Sequence, residues 1–444
     1  MKISIKRGRD LTLRGAIIDN KVESITPRHV AIYPEDFHGF IAKVDVKVGD
    51  PVNVGTPIFH DKNVPELQLT SPVSGEIIEV ERGERRRLIK VVIANDNKYT
   101  SDKTAIPDNY NDKDSLLKIL AQSGLMAHIH RRPYDVVARP SDNPRDIFIT
   151  AFDSSPLAYT SNYDTEDVEL MARAVNFFHN ITTGNIYISR RSAEQLPDIP
   201  GAEMVDVKGP HPAGNIGIQI ANIAPINKGE NIWALSTDTL RRIGYMLANK
   251  QLDTKTTVAL TGSRVKTPML IKTIIGASMA DLLNGRLDED NHHRRIISGN
   301  VLTGVKIDME GHLRFPYTHV SVIPEGDDVD EFMGWASFSP SKMSVSPSYP
   351  GKFFKKLFNP DARILGGRRA MIMSGLIDNV LPMDIMGEYL IKAAKSHDID
   401  AMEQLGIYEV APEDFALAEC LDSSKMPYQA IIRESLDYIR GELE

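Results

Sequence analysis

A chain of 444 residues is too long for one hydrophobic core, so three or four domains are expected. It is 42% hydrophobic and 25% charged, an ordinary globular composition, and its formal net charge of −8 argues against a surface built to neutralise nucleic-acid phosphates. The one basic run, Arg85-Arg86-Arg87, is too short to reverse that, and the lone thiol of Cys420 excludes intrachain disulfides and iron–sulfur clusters that need about four thiolates.

In chain order, residues 1–27 hold one alternating strand, Lys2-Ile3-Ser4-Ile5-Lys6, and a polar turn. The opening MKISIKRGRD has no apolar core of a secretory signal, and no stretch approaches the roughly 18 apolar residues of a membrane span. By itself the chain is expected to be soluble, with no transmembrane segment of its own. Residues 28–100 change to short strands divided by glycine turns. Two half-motifs stand out, one from Val46 through Gly49, Gly55 and Pro57 to Ile58, the other from Ser71 through Pro72 and Gly75 to Val80. Glycine tolerates the positive φ that closes such strands, and the pair resembles the biotinyl/lipoyl-type barrel-sandwich hybrid.

Residues 95–111 are polar and aperiodic and read as a linker. Over 101–255 strands alternate with helices, which implies a Rossmann-like, largely parallel sheet covered on both faces. A helix over Asp114–Gly124 has Gly124 as the residue past its end. A second starts at Thr165 as its cap, with Met171, Ala174, Val175 and Phe178 on one face, and is ended by Gly184. Strands follow at Ile186–Ile188, Glu203–Val207 and Asn231–Leu235, then a helix at Asp238–Asn249. Over 256–330 the order strand, turn, strand, helix suits a β-grasp unit. Residues 331–444 open with a Ser/Pro/Gly/aromatic stretch and end in helices starting near Met383, Pro412 and Pro427. The fold class expected is thus an α/β multidomain protein with a helical C-terminal region.

Lys62, in Phe59-His60-Asp61-Lys62-Asn63, sits near the place where carrier barrels bear biotin or lipoate. The gap to Pro72 is long for a symmetrical hairpin and no Met flanks the Lys, so a barrel reused for docking is the stronger reading. The Gly209–Gly217 segment has glycines for a phosphate nest but lacks the dinucleotide fingerprint, and Pro210 and Pro212 remove donors; a turn joining strands is favoured. Neither His128-Ile129-His130 nor His292-His293 has a convergent carboxylate or thiolate, so no metal site is expected. Arg131, Arg132 and Arg139 form a basic cluster suited to an anionic group or an acidic partner, with a solvated loop as the plainer alternative. Phe332-Met333-Gly334-Trp335-Ala336-Ser337-Phe338 and Lys352–Phe358 mix aromatic and basic residues, as a headgroup boundary or partner surface does. A loop tucked over its own domain accounts for them equally well.

Taken in order, Ile5–Leu11, Phe59–Lys62, Thr70–Gly75, Arg82–Arg86, Gly124-Leu125, Arg132-Pro133, Gly209–Gly214, Arg295–Gly299 and Phe332–Trp335 resemble the A subunit of the Na+-translocating NADH:quinone reductases, nearly end to end. That family is similar to the flavin-binding subunit of complex I and to the C subunit of the ferredoxin:NAD oxidoreductase complex. Those relatives carry a flavin or nucleotide loop, C-terminal cysteine clusters, or both. Here the Gly209 loop lacks the acidic pair and Glu419-Cys420-Leu421 offers one thiol where a cluster run would sit. The resemblance implies a peripheral subunit on the cytoplasmic face of the bacterial inner membrane, with no catalytic, cofactor or metal residue of its own. Flavins and iron–sulfur clusters would sit on the partner subunits. It also implies docking on membrane subunits and contact with quinone or partners through Arg131, Arg132, His211, Trp335 and Phe338. A free-standing flavin or NADH dehydrogenase using the Gly209 loop and a carrier modified on Lys62 are the rival expectations.

Overall fold

Period-two hydrophobic alternation in the first hundred residues builds two small sheets. In this computed structural model, which describes residues 1–19, 21–101, 112–290, 292–329, 343 and 357–444, they enclose one another as a sandwich. One has the strand order His29–Ile32, Leu88–Asn95, Gly75–Arg82, Pro51–Val52, and the other Ala42–Val44, Pro57–Asp61, Gln68–Thr70. Gly49 and Gly55 take φ of +91° and +95° at the turns the sequence marked. The expected linker lies partly outside the described residues, at 102–111, as do Trp335, Phe338 and residues 352–356.

The second unit is a seven-stranded sheet in the order Lys2–Ser4, Glu203–Lys208, Ile186–Arg190, Ile147–Thr150, Ile232–Ser236, His130–Arg132, Val136–Val137. Its first five strands pair parallel, and His130–Arg132 pairs antiparallel with both Ile232–Ser236 and Val136–Val137. The near-continuous apolar strands, such as Ile147-Phe148-Ile149, fit a sheet covered on both sides. The Thr165–Phe178 and Thr237–Asn249 helices pack on one face. At their crossing a Cβ on Gly244 would collide with the Leu170 carbonyl, so glycine permits the close approach. Two sequence expectations are corrected here. The first helix is capped by Asp164, whose carboxylate accepts from Asp167 N at 3.0 Å while Asp167 reaches back to Asp164 N, and Thr165 is its first residue. Gly184 lies beyond the helix end, where Arg145 and Asp146 leave no room for a side chain.

A third sheet of six strands, ordered Val305–Ile307, Arg294–Ser298, His319–Pro324, Lys255–Thr261, Met269–Ile274, Val22–Ser24, carries the short Met279–Leu283 helix. The N-terminal segment therefore stitches two units together: Lys2–Ser4 pairs with the seven-stranded sheet and Val22–Ser24 with the six-stranded one. At the far end, helices Leu376–Val380, Gly387–Ser396, Ile399–Gln404, Ala416–Leu421 and Tyr428–Leu443 bury Leu390, Ile391, Phe415, Ile432 and Leu436 together with Val205, Val207 and Ile218 of the α/β unit. No described helix is long and apolar enough to cross a membrane.

Candidate functional site

The three sheet units meet at one crevice, a cavity of ≈ 70 Å³. From the barrel sandwich come Tyr33, Asp36, Phe37 and Thr70, from the α/β unit Gly124, His128 and Arg242, and from the six-stranded unit Gly276, Leu313 and Phe315. The Phe37 and Phe315 rings stack 4.8 Å apart at 12°, and His128 sits 4.3 Å from Phe315. Burial pushes the His128 imidazole down to about 3, with Arg242 adding to the effect, so the ring is neutral. Arg314 lies over the Tyr33 ring at 4.2 Å and donates to both Asp36 oxygens at 2.8 and 3.0 Å, while Phe315 N donates to Asp36 at 3.0 Å. Burial pulls the Asp36 carboxyl upward and these donors pull it downward; with a guanidinium and an amide on it, the carboxylate form fits this geometry. Arg242 spends its three nitrogens on Asp238 and on the carbonyls of Asp253 and Lys255. The crevice thus offers stacked aromatic rings and a neutral imidazole, while the Thr70 hydroxyl is spent on the Ser123 carbonyl at 3.2 Å. Asp36, Arg314 and Phe315 carried no signal in the sequence, because nothing in their local patterns shows that distant segments bring them together.

Of the five residues singled out for quinone or partner contact, Trp335 and Phe338 lie outside the described residues. Arg131 and Arg132 belong to the His130–Arg132 strand, paired with Ile232–Ala234, and not to a solvated loop. Arg131 donates to both carboxylate oxygens of Glu444 at 2.8 Å. Arg132 is 2% exposed and faces Asp135 at 3.4 Å and Glu413 at 3.2 Å. Arg433 of the last helix joins the group by donating to the carbonyls of Tyr134 and Asp135. His211 is 3% exposed, lies 3.1 Å from Ser154 Oγ through Nδ1, and is pushed down by burial. Arg139 donates its backbone N–H to Asp142. His130 pairs with Asp135 at 2.9 Å, away from His128, and His292 and His293 pair with separate carboxylates, Asp328 and Asp327. Among the described residues no group of three metal-ligating side chains converges. Lys62 is exposed in the turn after Pro57–Asp61; buried Asp61 holds that turn by accepting from Asn63 N and Val64 N.

The Gly209–Gly217 loop joins the Glu203–Lys208 strand to the Ile216–Ile223 helix, a correction to the strand-to-strand turn expected. Four of its N–H groups are spent inside the chain: His211 on Asp10, Ala213 on Pro210, Gly214 on Ser154 Oγ at 2.8 Å and Asn215 on Pro212. The space beside each glycine is also taken, by Ile5 at Gly209, Ser154 at Gly214 and Asp414 at Gly217. Asp414 is 2% exposed and comes from the C-terminal helical region, so a carboxylate of the chain itself stands at the positive end of the Ile216–Ile223 helix, where a phosphate would otherwise bind. Burial pushes both Glu413 and Asp414 upward, helped at Glu413 by the Asp414 charge and at Asp414 by Asp135, and Arg132 opposes this.

The units and their seams define a multidomain α/β protein built on a barrel-sandwich hybrid, with a helical C-terminal region. Three family models match in succession: the NqrA N-terminal barrel-sandwich hybrid domain over residues 3–96, the NqrA second alpha/beta domain over 111–252, and the NQRA C-terminal domain over 257–308. Proteins named as the A subunit of Na(+)-translocating NADH-quinone reductase match along their whole length. The one from Photorhabdus laumondii is 33% identical, covering 99% of this chain and 100% of its own. The one from Vibrio anguillarum is 34% identical with the same coverage, and the one from Rhodopirellula baltica 32% over 99% and 98%. Among solved structures, an NAD+-reducing [NiFe]-hydrogenase matches 49% of this chain and 47% of its own at 13% identity and a TM-score of 0.32, too slight a likeness to argue from. The chain belongs to the NqrA family, the A subunits of the Na+-translocating NADH-quinone reductases.

Proposed function

We propose that this chain is a peripheral subunit on the cytoplasmic face of a Na+-translocating NADH:quinone reductase, docked on the membrane subunits and without a redox cofactor of its own. NADH oxidation and sodium passage belong to its partners, which carry the flavins and iron–sulfur clusters. The observation that carries this reading is the filled glycine loop: Asp10 and Ser154 take the His211 and Gly214 amides, and Asp414 fills the space beside Gly217 at the head of the helix. A flavin or nucleotide phosphate placed there would have to displace buried groups of the same protein.

The quinone role falls to the three-unit crevice, not to the enclosed Arg132 and His211. A quinone ring packs against the Phe37–Phe315 stack, and one of its carbonyl oxygens meets the neutral His128 as a donor. Because the free cavity is small, entry requires the three units to part slightly; seams between units are where such motion is cheapest. Two measurements test the proposal. The isolated chain should be colourless near 450 nm and bind no NADH, and stoichiometric flavin would end the cofactor-free reading. In the assembled complex Phe315→Ala should raise the KM for quinone while leaving the KM for NADH unchanged; an unchanged quinone KM would remove the crevice from the quinone path.

A further inference from the structure

Residues 364–373 have no regular secondary structure, turn at Leu365 and Gly366, and are held to the C-terminal region where Arg369 N donates to Ser424 O at 2.9 Å. Their apolar side chains point away from the core: Ile372 is 62% exposed, and Ile364, Leu365 and Met373 stand out beside it. The neighbouring Gly387–Ser396 helix presents Met386 and Tyr389, 62% and 56% exposed, on its outer face one turn from Lys392. Lys392 Nζ lies 2.8 Å from Met373 Sδ, which brings the strap and the helix into one patch. Arg368, Arg369 and Lys395 make no ion pair or side-chain hydrogen bond with a described residue, and Lys392 has no carboxylate partner among them. The exposed carboxylates of Asp378 and Asp384 bound the patch without pairing with these cations. In a chain of net charge −8, four cations without a carboxylate partner beside six protruding apolar and aromatic side chains are a local reversal of the overall balance.

We propose that this patch is a membrane-contact surface that takes anionic lipid headgroups. The inference rests on the reading of the chain as a peripheral subunit, and adds that the subunit touches the bilayer itself, beside its protein partners. Cations on long stems reach phosphates while Ile372, Met386 and Tyr389 enter the headgroup boundary, where a phenol keeps its hydroxyl wet. A lipid surface is favoured over an acidic protein segment because Ile364, Leu365, Ile372 and Tyr389 stand out into solvent, and of the patch's apolar side chains Met386 alone also lines the neighbouring groove.

The test is co-sedimentation of the purified full-length chain with vesicles of phosphatidylcholine alone or with about one third phosphatidylglycerol, at about 0.1 M and about 0.5 M salt. Binding is expected to the anionic vesicles only, and to fall with salt. Each cation removed should cost about fivefold in partition, so Arg368→Gln/Arg369→Gln/Lys392→Gln should lose about a hundredfold, and Ile372→Ser/Tyr389→Ser should also weaken binding. Arg85→Gln/Arg86→Gln, in the remote barrel-sandwich hairpin, serves as the control and should bind as the parent does. Equal loss in that control, or no binding of the parent to either vesicle, overturns the proposal. If the patch variants spoil assembly with the membrane subunits while the parent ignores vesicles, the surface recognises protein and the lipid reading is wrong. The peripheral-subunit reading fails only if the parent does not assemble at all.

Discussion

At Gly214 the space of a side chain is filled by the Ser154 backbone and hydroxyl, and the amide it exposes is already bonded. Gly214→Val therefore forces an overpacked contact, and a loss of about 1–3 kcal/mol in chemical denaturation is expected; unchanged stability would mean that the loop has room for a ligand after all. His128 gives a prediction in pH. Its folded form is neutral because burial holds the imidazole at about 3, whereas the unfolded chain binds that proton below about 6.5. The folded pKa is the depressed one, so the contribution is intact above about 6.5 and is lost as pH falls toward 3, amounting to about 2 kcal/mol between pH 6.5 and 5. His128→Leu should flatten that part of the stability profile, measured as the denaturation midpoint at pH 7 and pH 5. Equal acid sensitivity in parent and variant would show that His128 titrates normally.

Among the elements, most were legible in the sequence. Glycine turns at Gly49 and Gly55, and Gly124 just past the Lys113–Gln122 helix, follow from a local demand for positive φ that neighbouring residues announce. The start of the Thr165–Phe178 helix was misplaced by one residue, since Asp164 and Thr165 are both good caps and only the reciprocal bond with Asp167 decides between them. Asp164→Ala should cost about 1 kcal/mol while Thr165→Ala is near neutral, as thermal denaturation of the two variants would show; the reverse order would restore Thr165 as the cap. What local pattern could not show was pairing across long separations. Arg131 and Arg132 read as a free basic cluster because, beside the nearby Asp135 and Asp142, their other partners, Glu444 and Glu413, lie about 300 positions away. Asp414 closing the glycine loop and Phe315 stacking on Phe37 were hidden for the same reason.

Across the whole molecule the units are bound by seams, and the charged one around Arg132 ties the α/β sheet to the C-terminal helices. Removing one partner of an enclosed ion cluster leaves the others uncompensated, so Arg132→Ala should cost about 3–5 kcal/mol. It should also raise amide exchange in the Tyr428–Leu443 helix, whose Arg433 shares the cluster; exchange unaltered there would show that the seam does not couple the units. A chain whose seams are occupied by its own side chains, and whose glycine loop is closed by its own carboxylate, is suited to hold other subunits in place. That account is tested most directly by purifying the tagged chain from gently solubilised membranes and assaying what comes with it. It predicts co-purifying membrane subunits, with flavin confined to them, and NADH:quinone reductase activity that rises with sodium. Recovery of the chain alone, oxidising NADH without companions, would contradict it.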